Sequence, residues 1–315
     1  MQPGGSPFPQ ATTGSGHHRS LRRILEDHLA WLEKRPEGVR ATLRGASLNE
    51  ADLDKADLRN AVLRSASLLE ARLARADLSG ADLREADLRQ AVLTGADLSG
   101  ADLTGARFQS GLLTEANLSE TVVWGCSFRG ANLREARLLD ASIRETDFVG
   151  AIMTGAGLHH AQIFASDFSE ADLEGALLYH ARLQVCRFLA ANLVQANFSS
   201  AKVQSCDFRN AQLTAARFFR ADLSCSCFGN ALMSGCDFRE GRLAAAEFHG
   251  ALLEGARFGN AVLLAADLRG ANLRGARELT PTQLAQARTD RETILPSGKR
   301  GPFMKGTLAE RPAPL

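Results

Sequence analysis

In ADLREADLRQAVLTGADLSGADLTG (residues 81–105) a leucine stands at every fifth position, with an alanine two residues before each one. Stepping outward by five keeps an apolar residue in that place from Leu43 to Leu273, which makes 47 repeats without insertion or deletion. The occupants are Leu, Phe, Ile, Val or Met. The residue two places earlier is small throughout, usually Ala and otherwise Gly, Ser, Thr or Cys.

A period of five excludes the ordinary elements. On an α-helix each step turns ~140°, so the leucines would spread over every face. On a flat strand an odd step sends alternate leucines to opposite faces. Only a chain that turns the same way once per repeat keeps every central residue inside, with the small residue beside it and the other three outward. That is an all-β solenoid. Phe108, Phe128, Phe148, Phe168, Phe188, Phe208, Phe228 and Phe248 recur every 20 residues, and Phe198, Phe218, Phe238 and Phe258 form a second column offset by ten. Rings in register every 20 residues require four repeats per coil, with the two columns on opposite faces. About twelve coils at the ~4.8 Å strand spacing give one continuous rod of roughly 55–60 Å.

The stretches ADLREADLRQ (81–90), ADLSGADLTGA (96–106) and ANLRGA (271–276) resemble the pentapeptide-repeat family, whose motif is A(D/N)Lxx. The resemblance covers about three quarters of the chain. It implies a right-handed, quadrilateral β-helix over residues 41–278, stabilised between neighbouring coils.

Open ends of such a helix expose unpaired edges and core, and both flanks read as short α-helical caps. Over residues 20–40, SLRRILEDHLAWLEKRP places Leu21, Ile24, Leu25, His28 and Leu32 on one helical face, with Ser20 as N-cap and Pro36 as stop. Over 279–297, TPTQLAQA pairs Pro281 at the first helical position with the Thr280/Gln283 capping box, and an extended segment follows. Residues 1–19 and 298–315, rich in Gly, Pro and Ser, read as disordered tails.

Composition narrows the function. The 315 residues carry 37 Lys+Arg against 36 Asp+Glu, so bulk charge points neither to a nucleic-acid binder nor to a strongly acidic mimic. No apolar run reaches the ~20 residues of a membrane span. The N-terminal residues lack an apolar signal core, and the six cysteines lack disulfide or metal spacing. A cytoplasmic bacterial protein is expected.

No catalytic set, cofactor motif or metal motif assembles. Cys126, Cys186, Cys206 and Cys236 fall in the small inward slot as filler, whereas Cys225 and Cys227 fall outward and are the thiols to test for reactivity. One outward cluster stands apart: His159, His160, Tyr179 and His180 in successive coils, with Trp124, Phe164, Phe219 and Arg220 around them. Grouped exposed rings suggest a protein contact; the stacked imidazoles lack a carboxylate or thiol for a metal. Some members of the family protect DNA gyrase with acidic ladders that resemble duplex DNA. The most acidic column here is Asp87, Arg107, Ser127, Asp147, Asp167, Arg187, Asp207, Cys227, Glu247 and Asp267, and arginine interrupts it. The expectation is a non-enzymatic, monomeric scaffold that binds an unidentified protein partner through its faces. Direct nucleic-acid binding is not expected. The alternative is a DNA-mimicking protein that binds gyrase or topoisomerase.

Overall fold

Each coil is closed by the same few hydrogen bonds. Leu43 N–H donates to Val62 O at 2.7 Å and Val62 N–H to Ala41 O at 2.9 Å, while Ala46 N–H closes the corner onto Leu43 O at 3.1 Å. Parallel bridges join residues 20 apart, from Thr42↔Val62 to Asn132↔Ile152 and from Gly157↔Leu177 to Arg257↔Arg277, so four repeats make one coil. These features come from a computed structural model, which describes residues 20–303. The chain divides between Ile152 and Met153 into two compact units, and the same parallel β-solenoid pattern runs through each.

Every central residue from Leu43 to Leu273 is buried, none more than 2% exposed. In the first unit Phe108 stacks on Phe128 at 4.6 Å; in the second, Phe168, Phe188, Phe208, Phe228 and Phe248 stack at 4.7–5.0 Å. The two columns also meet edge-to-face across the core, Phe198 and Phe208 at 6.1 Å and 87°. At each corner one residue takes a left-handed conformation, as Gly45 does at φ 62° and His160 at φ 61°.

Five corners depart from this scheme. β1 (Val122–Trp124) and β2 (Ser142–Arg144) lie in the first unit, β3 (Gln162–Phe164), β4 (Arg182–Gln184) and β5 (Lys202–Gln204) in the second. Their central residues are Val123, Ile143, Ile163, Leu183 and Val203, which include every β-branched residue among the 47 central positions. Branching at Cβ favours extended backbone. The carbonyl that elsewhere closes the corner is then taken by a side chain of the next coil. Thr146 Oγ1 donates to Val123 O at 3.1 Å, Cys186 Sγ to Ile163 O at 3.6 Å and Ser226 Oγ to Val203 O at 2.9 Å. The inward Cys, Thr and Ser residues of this column are therefore hydrogen-bonding parts of the core as well as filler.

The helix α1 (Leu21–Leu32) starts at Ser20, whose hydroxyl accepts Arg23 N–H at 3.3 Å. It ends before Pro36, because Lys34 already turns left-handed at φ 59°. Leu21, Ile24 and His28 are buried, and His28 Nδ1 accepts Ala41 N–H, the first donor of the repeats, at 3.1 Å. In the second unit α2 (Pro281–Leu284) carries the Thr280/Gln283 capping box. The Gln283 amide also donates to Phe258 O at 2.7 Å and Ala261 O at 2.9 Å. The segment after it continues the stack with a longer step, Asp267↔Arg288 and Asn272↔Ile294, and Leu295 is fully buried. Residues 298–303, expected to belong to the C-terminal tail, are packed: Ile294 bridges Arg300 antiparallel, Gly301 N–H donates to Thr293 O at 3.1 Å, and Phe303 is 9% exposed. The expected tail 1–19 and the remainder of the expected tail 298–315, from residue 304 on, lie outside the described residues.

Candidate functional site

The second unit gathers four rings at one corner. His159 and Tyr179 hold the first outward slot of the corner, His160 and His180 the left-handed slot after it, at φ 61° and 58°. Histidine is among the few non-glycine residues enriched in that conformation. Since equivalent slots superpose coil on coil, the rings stack: His159 on Tyr179 at 4.7 Å and 12°, His160 on His180 at 5.1 Å and 15°. The two stacks meet edge-to-face, His160 to Tyr179 at 6.2 Å.

The next coil places Ser199 and Ser200 in these slots, and the one after it Phe219 and Arg220. The Arg220 guanidinium lies 4.9 Å from the Phe219 ring centre and pairs with Glu240 at 2.6 Å; the Arg239 guanidinium covers Phe219 at 5.7 Å. The eight residues expected to form one patch are thus several sets. Two ring groups flank a serine notch on one corner. Phe164 stands a corner further along, on β3, and is 43% exposed; Trp124, on β1 of the first unit, is 52% exposed.

Beside the notched corner the side face forms a shallow concavity of about 440 Å³, lined by Gly175, Leu177, Gln195, Asn197, Ala215 and Arg217. The sequence reading missed these residues, since each taken singly fits an ordinary outward slot.

The outward aspartates do local work. Asp57, Asp82, Asp87, Asp207, Asp237 and Asp267 each receive a salt bridge from the arginine two residues on, at 2.6–2.7 Å. All six also accept that residue's backbone N–H, as Asp82 Oδ1 does from Arg84 at 3.3 Å. Hydrogen bonds from the guanidinium hold the carboxyls of Asp57, Asp82, Asp87, Asp237 and Asp267 below the usual carboxylate range. The signal, Asp-(Leu/Phe)-Arg, is plain in the sequence.

Four of the six thiols are raised above their ordinary range. Burial pushes Cys126 up to about 12 and raises Cys236, contact with Cys186 together with burial raises Cys206, and burial beside Glu247 raises Cys227. Of the two outward thiols singled out for a reactivity test, Cys227 is therefore held in its neutral form, while Cys225 is exposed. Among the described residues no group of three His, Cys, Asp or Glu side chains is placed to share a metal ion, and no helix is long and apolar enough to cross a membrane.

The profile described as pentapeptide repeats matches residues 41–79, 71–109, 112–148 and 242–277, and that described as a pentapeptide repeat region matches residues 161–235. Together they cover most of the chain. It belongs to the pentapeptide-repeat proteins. This pentapeptide-repeat protein is similar to HetL, a pentapeptide repeat protein involved in heterocyst differentiation regulation from the cyanobacterium Nostoc sp. strain PCC 7120. That likeness has 28% identity over 90% of this chain and 100% of HetL, with a TM-score of 0.31. QnrB1, a plasmid-mediated fluoroquinolone resistance protein, is 18% identical over 65% of this chain and 86% of its own, with a TM-score of 0.27. A thylakoid-lumen pentapeptide repeat protein of Arabidopsis thaliana is 24% identical over 37% of this chain and 70% of its own, with a TM-score of 0.19. TM-scores of this size give no ground for carrying a partner across. No curated protein sequence matches the chain.

Proposed function

We propose that this pentapeptide-repeat protein is a non-enzymatic scaffold that binds another protein through the sides of its solenoid. The observation that carries the reading is the juxtaposition, in the second unit, of the notched ring corner with the concave face beside it. Aromatic rings with arginine beside them are the side chains from which interface anchors are drawn. The chain acts as a monomer in this reading, both termini of the repeat being closed by α1 and by α2 with its following segment. Six free cysteines suit a reducing compartment such as the cytoplasm.

DNA mimicry fits less well. Duplex DNA carries one negative charge per ~1.7 Å of axis, whereas six aspartates here are neutralised by an arginine of their own repeat. A supercoiling assay in which the purified protein inhibits gyrase would reinstate that alternative.

The scaffold reading is tested by affinity capture with identification of the captured protein, repeated with Tyr179→Ser/Phe219→Ser. Losing buried aromatic anchors at ~2 kcal/mol or more predicts binding weakened by at least about 30-fold at an unchanged melting temperature. Equal recovery of the same protein removes the ring corner from the interface. Failure to enrich any protein over an unrelated repeat protein counts against the scaffold itself.

A further inference from the structure

Outward amides on this solenoid are often consumed within their own column. Asn117 Nδ2 donates to Asp97 at 3.0 Å and Asn192 Nδ2 to Asp172 at 2.8 Å, the acid lying one coil earlier each time. Asn197 differs. Its Oδ1 accepts Ser199 N–H at 3.0 Å, but the residue bridged to it one coil earlier is Leu177, which offers no acceptor. Its Nδ2 hydrogens have no protein partner among the described residues. Arg217 is bridged to Asn197 on the other side, and its guanidinium pairs with no carboxylate among the described residues. Asp237, next in the column, is held by Arg239 at 2.6 Å. Asn132 gives the comparison: it too lies over a leucine, Leu112, but the next residue of its column is Ile152, so no second donor joins it.

We propose that Arg217, Asn197 and Leu177 form a carboxylate-binding site that takes an Asp or Glu side chain of a partner protein with an apolar residue next to it. The inference rests on the scaffold reading of the second unit and names the chemistry of its partner. A guanidinium offers two parallel N–H donors matched to the two oxygens of a carboxylate, and Asn197 Nδ2 supplies a third. Leu177, 38% exposed, presents apolar surface in the same concavity for the neighbouring side chain. Charge favours a monoanion over a dianionic phosphate. One cation faces the ligand, the acids of the adjoining coils are held by Arg239 and Arg220, and the residue preceding Gly175 of the lining is the exposed acid Glu174.

The probe is the peptide Ac-Leu-Glu-Leu-NH2, titrated to millimolar concentration into the full-length, 15N-labelled chain. The side-chain N–H signals of Arg217 and Asn197 are expected to shift, with the corresponding Gln peptide binding at least about tenfold more weakly, since it forms no charge-assisted bond. Leu177→Asp should give Asn197 an internal acceptor of the Asp172–Asn192 kind, leave the melting temperature unchanged or raised, and abolish the shifts. The site is overturned by the absence of shifts at both side chains, by equal binding of the Gln peptide, by inorganic phosphate binding more tightly than the Glu peptide, or by unchanged binding in Leu177→Asp. A captured partner that is retained by Leu177→Asp but lost by Tyr179→Ser/Phe219→Ser overturns this site and leaves the scaffold reading standing. A partner lost with Leu177→Asp supports both.

Discussion

Replacing Ser226 with alanine installs the residue most frequent in that inward slot, and it is expected to destabilise the protein. Ser226 is fully buried, its Oγ donates to Val203 O at 2.9 Å, and the same oxygen accepts Cys206 N–H at 3.1 Å. Neither backbone group has another protein partner among the described residues, because the corner after Val203 is extended. Ser226→Ala therefore leaves one buried donor and one buried acceptor unpaired. At about 1–3 kcal/mol for each orphaned group the loss is about 2–6 kcal/mol. Cys236→Ala is the control. Cys236 Sγ lies 3.0 Å from Leu213 O, but that carbonyl also accepts Ala216 N–H at 2.9 Å, so no group is orphaned and the loss is below about 1 kcal/mol. Urea titration followed by far-ultraviolet circular dichroism compares the two, and hydrogen exchange at the Cys206 amide localises the effect. A Ser226→Ala protein as stable as wild type, or no more affected than Cys236→Ala, would refute the idea that this column repairs the altered corners.

Two pH dependences follow from the side-chain environments. The carboxyls of Asp57, Asp82, Asp87, Asp237 and Asp267 lie lower in the folded chain than in the unfolded one, so their contribution is complete above the unfolded value of about 4 and is lost as pH falls through the folded values. Melting temperature should fall in acid, and by less in Asp82→Asn, where the change in bound protons is removed; an identical slope in that variant contradicts the assignment. Burial holds the His28 imidazole below its ordinary value, with Asp57, Arg40 and Arg59 facing it. Stability from neutral His28 is present above about pH 6.5 and lost as pH falls toward the folded value. Hydrogen exchange at Ala41 and along α1, corrected for intrinsic rate, should quicken on going from neutral to mildly acidic solution. The same pH dependence in His28→Phe would show that another group is responsible.

The features legible in the sequence are those that repeat in register. Four repeats per coil could be read because Phe188, Phe208 and Phe228 must superpose, and the structure stacks them. Val123, Ile143, Ile163 and Val203 recur at the same interval, as do Cys126, Thr146, Ser166, Cys186, Cys206 and Ser226, but their meaning lay in a hydrogen bond between different columns. The sequence shows which residues share a slot, not which carbonyl a slot faces. The spacing Asp-(Leu/Phe)-Arg is likewise visible in the sequence, whereas the return of the guanidinium onto the carboxylate of its own repeat is visible only in the structure. Residues 298–303 were misjudged from composition, since Gly301 and Phe303 are ordered by contacts to Thr293 and Thr289. The ring corner was visible as a list of residues; the concave face beside it was not, because Leu177, Asn197 and Arg217 acquire significance only when stacked.

The most direct test of a partner-binding face is position-resolved photocrosslinking with the full-length protein. A photoreactive residue at Ser199, in the notch between the ring groups, should crosslink one defined protein, and the same residue at exposed Gln212, on another side of the second unit, should not. Equal crosslinking from both positions, or from neither, would contradict the assignment of this face as the working surface of the molecule.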